Sequence, residues 1–243
     1  MFHRTLTFVA LAFSLLMFSS TASAQQVIGL GASLHADDGV YEDRVRVDQI
    51  SESEDSYAFQ SESSLLGGIW YLRHANEHVR WGGGIRYFGS YGLIDEEDAE
   101  EFDPEEDEEL EAYELGRLAQ LYAAAEWVIP MADELSLLLG AQIGPSLLFP
   151  GDDLEEDIEE LEDEDVGVWK TPRFGTHFGP HVGAVYQLTD LVSLRADATM
   201  RHESLPLFGV NDEVDDVRYE KSTTTTTLRY EFGFAVEVAL GDD

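Results

Sequence analysis

Apolar and polar residues alternate along most of this chain, in stretches separated by connections that are short and long in turn. A period of two puts successive side chains on opposite faces of an extended strand. The last stretch is the cleanest: Leu228, Tyr230, Phe232, Phe234, Val236, Val238 and Leu240 share one face, against Arg229, Glu231, Gly233, Ala235 and Glu237 on the other. Earlier stretches repeat the pattern. Ile28, Leu30, Ala32 and Leu34 oppose glycine or serine; Val79, Trp81, Ile85, Tyr87 and Tyr91 oppose Arg80 and Arg86; Leu121, Ala123, Ala125 and Trp127 oppose Gln120, Tyr122 and Glu126. Leu135 to Leu147, Phe174 to Tyr186 and Val192 to Met200 behave alike, and the stretch from Ser61 to Arg73 sets Leu66, Trp70 and Leu72 on one face. Pro145 and Pro180 fall inside two neighbouring stretches, where a residue without an N–H is expected at a β-bulge.

The connections carry the second signal. The turns at 74–78, 130–134 and 189–190 are short, whereas Ala36 to Ala58, Asp95 to Glu114, Gly151 to Asp165 and Glu203 to Lys221 are long and polar, the middle two strongly acidic. Trp70, Trp81, Trp127 and Tyr186 lie beside the short turns, and Tyr91, Phe149, Phe174 and Tyr230 nearer the long ones, as two interfacial girdles require. The reading is an all-β fold: an eight-stranded antiparallel up-and-down transmembrane β-barrel with short periplasmic turns and long acidic extracellular loops. Past the N-terminus no segment approaches the roughly 20 consecutive apolar residues of a spanning helix, so any span is built from strands, which satisfy their backbone groups in lipid only as a closed barrel.

Met1 to Ala24 has a basic start at Arg4, an apolar run from Phe8 to Phe18 and Ala22-Ser23-Ala24 before Gln25. This is the layout of a cleaved secretory signal, which leaves 25–243 as one barrel domain. Cysteine is absent, so no disulfide holds an exported fold together. The net charge of −36 is concentrated between the strands while the arginines fall mostly within them, a distribution that excludes nucleic acid as a partner.

The whole pattern resembles the small outer-membrane β-barrels of Gram-negative bacteria, of the outer-membrane-protein-A or W type. The resemblance implies a cell outer membrane location, contact with outer-membrane lipid and lipopolysaccharide, and a monomer; the W-type barrels also imply passage of small or hydrophobic solutes. The ending Val238-Ala239-Leu240-Gly241-Asp242-Asp243 departs from the terminal aromatic residue frequent in such proteins.

Candidate chemistry falls into three sets. Arg80, Arg86, Glu126, Arg195, Asp197, Arg201, Arg229, Glu231 and Glu237 face inward, and because an eight-stranded barrel is just wide enough for side chains to fill, mutual pairing into a plug is favoured over a porin-like conduit. His177 and His181 share that face but stand too far apart on one strand to hold one ion, at about 7 Å per two residues. Asp103, Glu105, Glu106, Asp152, Asp153 and Glu156 offer oxygen ligands of the kind calcium takes, without the EF-hand spacing. Asp103-Pro104 resembles a helix start, and Leu154, Ile158 and Leu161 recur at helical spacing. Finally, His202-Glu203-Ser204 is similar to the His-x-Ser of outer-membrane lipid A deacylases, with Leu205 where that family has asparagine; Asp216 and Glu220 are the candidate acids. The favoured role is non-enzymatic: a structural barrel whose acidic surface meets divalent cations, envelope components or external partners, with no resident cofactor beyond calcium.

Overall fold

The computed structural model describes residues 26–47, 51–61, 66–95, 112–163, 172–214 and 217–240. The expected signal segment and Asp103, Glu105, Glu106 and Asp216 lie outside them. The described residues form nine strands: β1 (Gln26–Val47), β2 (Ser51–Ser61), β3 (Leu66–Asn76), β4 (Val79–Asp95), β5 (Tyr113–Pro130), β6 (Leu135–Pro150), β7 (Arg173–Gln187), β8 (Val192–Val214) and β9 (Val217–Leu240). Among the described residues a helix, α1 (Asp152–Asp163), stands between β6 and β7. All pairings are antiparallel, and β1 bonds β9 along its whole length, closing the sheet. The ring itself has eight members, because β2 sits above β3 in the gap between β1 and β4, pairing β1 from Asp38 upward and β4 at Leu93 to Asp95.

Turns at one end are tight. His78 N donates to Asn76 Oδ1 at 2.8 Å, Met131 N to Leu135 O at 2.9 Å, and Val192 N to Thr189 Oγ1 at 3.0 Å. The outward face between those turns and the level of Asp38 is apolar, with Leu30, Leu34, Ile143, Phe232 and Phe234 among its most exposed residues. On β9 this belt runs from Tyr230 to Leu240, the span of about 9–11 tilted residues that crosses a bilayer. Large apolar side chains outside and polar ones inside invert the arrangement of a water-soluble sheet.

Two expected loops are strands. The described residues of Ala36 to Ala58 and of Glu203 to Lys221 extend β1, β2, β8 and β9 above the lipid belt as paired antiparallel strands. Their outward positions are polar, which erases the hydropathy signal, yet the alternation persists and cross-strand pairs such as Arg44 with Glu54, at 2.8 Å, keep the ladder going. The acidic stretch after Gly151 is α1, with Asp152, Asp153 and Glu155 in its first turn, where the helix dipole favours negative charge.

Three further expectations are corrected. Pro145 and Pro180 do not mark bulges: Ala141 pairs Pro180 and Pro145 pairs Thr176 in unbroken register. Each proline lacks an N–H toward one neighbour only, so the ladder loses pairs on one side, between Gln120 and Ala123 against β6 and between Phe178 and His181 against β8. Register shifts occur instead between Phe88 and Tyr91, at Tyr91/Gly92, and between Pro206 and Phe208. Because a one-residue slip exchanges the faces, Tyr91 leaves the lipid side and is buried. Opposite it, Gly116 has φ +123°, a conformation an L side chain rarely adopts. Trp70 is the third case: it pairs with inward-facing Gly29, and its ring occupies the space a Cβ on that glycine would fill, so it belongs to the lumen rather than the girdle.

Candidate functional site

Register builds the interior. Arg80 and Glu126 are direct partners across β4 and β5, both inward, and the Arg80 Nε donates to the Glu126 carboxylate. The same guanidinium reaches Glu237 on β9 at 2.9 Å and 3.2 Å. Arg195 on β8 closes the circuit: its nitrogens lie 2.9 Å from Glu126, 3.1 Å from Glu237 and 3.3 Å from Asp197. His181 Nε2 stands 2.9 Å from Glu126, and Trp70 Nε1 donates to Glu237 at 3.3 Å beneath the Arg195 guanidinium. The flat, five-donor fork of arginine is what lets two cations serve three carboxylates on three strands.

A second network lies nearer the extracellular side. Arg201 is bidentate to Glu231, with one bond at 3.0 Å, and donates to Gln120 Oε1 at 2.9 Å. Gln120 passes the chain on, its Nε2 donating to Glu203 at 2.8 Å, while Ser146 bridges Glu203 and His177 Nδ1. Arg229 binds Asp37 through Nε at 2.8 Å and Glu203 through Nη1 at 3.2 Å, with its guanidinium 4.4 Å from the Phe88 ring. Arg86 lies 4.3 Å over Tyr122 and 3.9 Å from Glu231. All nine expected lumen residues therefore face the interior. Asp37, Gln120, Ser146 and Glu203 join them. Asp37 and Glu203 fall in segments that the sequence reads as loops, although Asp37 continues the inward parity of His35 and Glu203 that of Arg201.

Between the networks is a cavity of about 50 Å³ lined by Arg86, Gln142, His181 and Asp197 among others. Arg86 Nη1, Gln142 Nε2 and His181 Nδ1 have no protein partner, and a lining of mixed donors and acceptors with room for a few molecules suits water.

Above the upper network the filling becomes apolar. Phe59, Leu66, Phe88, Leu118, Leu148 and Phe208 form a buried cluster, and α1 lowers Leu154 and Ile158 onto it. The helix is pinned by its acids: Asp153 accepts the Glu114 N–H at 2.6 Å, and Asp157 accepts the Tyr113 hydroxyl. Burial, and then that bond to a carboxylate, push the Tyr113 phenol well above its ordinary range.

The remaining candidates are dispersed. Asp152, Asp153 and Glu156 occupy the first turns of α1, and no group of three or more ligand-type side chains arranged around one ion occurs among the described residues. His202 and Ser204 face outward at the upper edge of the lipid belt. The His202 ring packs edge-on to Phe178 at 5.2 Å, with Nδ1 3.5 Å from the Thr227 carbonyl. Glu220 instead pairs with Arg218 at 2.7 Å.

No family model matches the chain, and none of the curated proteins matches it in sequence. Among solved structures it superposes on the outer membrane protein OprG from Pseudomonas aeruginosa with a TM-score of 0.51 at 10% identity, over 90% of this chain and 98% of that one. The outer membrane protease OmpT from Escherichia coli (TM-score 0.45, 9% identity, 92% and 99% covered) and Neisserial surface protein A (0.31, 12%, 80% and 96%) overlap more loosely. The closed eight-strand ring, its apolar exterior and its packed polar interior define the class: this is a small transmembrane β-barrel with the fold of an outer membrane protein.

Proposed function

We propose that the protein is a closed, non-conducting barrel that acts as a structural element of the outer membrane and meets its partners through the strand extensions and acidic rim above the lipid. The observation that carries this reading is the double filling of the lumen, ion-paired side chains below and an apolar cluster under α1 above. A narrow channel for small or hydrophobic solutes requires a continuous path through both. In planar bilayers the purified protein is expected to give no unitary currents at neutral pH; discrete, reproducible conductance steps would overturn the proposal.

The rim is proposed to take divalent cations, with Asp152 and Glu156 exposed one helical turn apart on α1. Millimolar calcium is then expected to raise the melting temperature saturably, and an unchanged transition discards this part. A lipid ester hydrolase is supported only by the outward placement of His202 and Ser204 on β8. Among the described residues no carboxylate hydrogen-bonds His202, so none of them orients the imidazole as a general base requires. Release of fatty acid from lipid A, abolished in Ser204→Ala, would establish that activity in place of the structural role.

A further inference from the structure

The outward face is not evenly convex. Across β4 to β7, in the half of the belt nearer the short turns, Ala123, Ala125 and Ala141 form a floor of small side chains between Trp81 on one side and Phe178 with Pro180 on the other. Register explains the depression. Ala125 pairs with both Trp81 and Ala141, and Ala141 pairs with Pro180, so small side chains stack across two adjacent strands between bulkier flanks. The hollow opens toward the lipid, has a volume of about 560 Å³, and its walls are almost entirely hydrocarbon.

We infer that this hollow is a seat for one acyl chain of a membrane phospholipid, held more persistently than the lipid around it. The argument rests on continuity: the hollow lies within the lipid-facing belt, bounded below by Trp127 and Leu139 and beside it by Ile143, all exposed to the bilayer. Water in such a site has no polar partners, and an empty hollow forfeits the dispersion contacts of its whole lining. A chain lying along the alanine floor recovers those contacts on three sides, whereas on the convex belt elsewhere a chain meets protein on one side only. Small residues recruit a neighbour by close approach in membranes generally, and here the flanking Trp81 and Phe178 walls restrict that neighbour to something as thin as a single chain.

The test is native mass spectrometry of the full-length barrel, refolded in palmitoyl-oleoyl phosphatidylethanolamine vesicles and released into detergent. One lipid is expected to remain bound at collision energies that strip all others. It is expected to be lost in the Ala123→Phe/Ala141→Phe variant, which fills the hollow, and retained in Ala196→Phe, which adds the same bulk on the outward face of β8. Should the filled variant fail to give heat-modifiable, folded barrel, the wild-type titration still decides: saturation at one lipid supports the seat, and a graded distribution without a preferred stoichiometry refutes it. Equal retention in both variants, or departure of the wild-type protein as a dimer that the filling substitutions disrupt, would also overturn the inference, the latter by assigning the hollow to a second copy of the barrel.

Discussion

Replacing Arg229 by methionine isolates what the upper network contributes. The guanidinium is fully buried; it is the cation bound to Asp37, whose side chain is equally inaccessible, and it also serves Glu203. Methionine keeps much of the volume over Phe88 and removes only the charge and its donors. Glu203 retains the Gln120 amide and the Ser146 hydroxyl. Asp37 retains no cation in contact and becomes an uncompensated buried charge, a change that costs about 3–5 kcal/mol. Adding Asp37→Asn removes that charge, so the double variant is expected to be more stable than Arg229→Met alone, with a coupling of about 2 kcal/mol. Urea unfolding of barrel refolded into lipid vesicles, followed by tryptophan fluorescence and by the shift in gel mobility on heating, reads both quantities. A loss within about 0.5 kcal/mol for Arg229→Met, or strict additivity in the double variant, would show that the network is not what holds the interior together.

Other substitutions probe the remaining parts of the fold. Phe234→Arg, in the middle of the β9 lipid face, should destabilise by about 2–4 kcal/mol in the same unfolding assay, while Ser222→Arg on the polar extension of that strand should change little; equal costs would misplace the membrane. Gly116→Ala forces a Cβ to within 2.1 Å of the Phe149 carbonyl at a positive φ, and should cost more than the roughly 1–3 kcal/mol of backbone strain alone. Lipids brominated on the acyl chain should quench Trp127 strongly and Trp70 hardly at all in single-tryptophan variants, and the reverse order would return Trp70 to the girdle.

The period-two alternation determined the ring on its own. Once one face of a strand must meet lipid, every second residue is assigned, and eight such strands with tight turns at one end leave a closed antiparallel barrel as the solution. The nine lumen charges were legible for the same reason: a charge flanked on both sides by lipid-facing apolar residues has only the interior to face. The reading lost its hold where that solvent contrast ends. Above the belt the outward positions are polar and the lipid contrast is gone, so the upper halves of β1, β2, β8 and β9 read as loops and Asp37 and Glu203 as loop acids, although each sits on the inward parity of its strand. Bulges were beyond reach because a single extra residue at Phe88/Tyr91 or Pro206/Phe208 leaves local composition unchanged while exchanging the faces that follow. Closure of the ring decided which arginine meets which carboxylate wherever the partners lie on different strands, Arg229 and Asp37 being 192 residues apart. The apolar cap is likewise a tertiary product: Leu154 and Ile158 have a helical spacing in the sequence, but what they cover exists only once β2 to β8 have brought Phe59, Phe88 and Phe208 together.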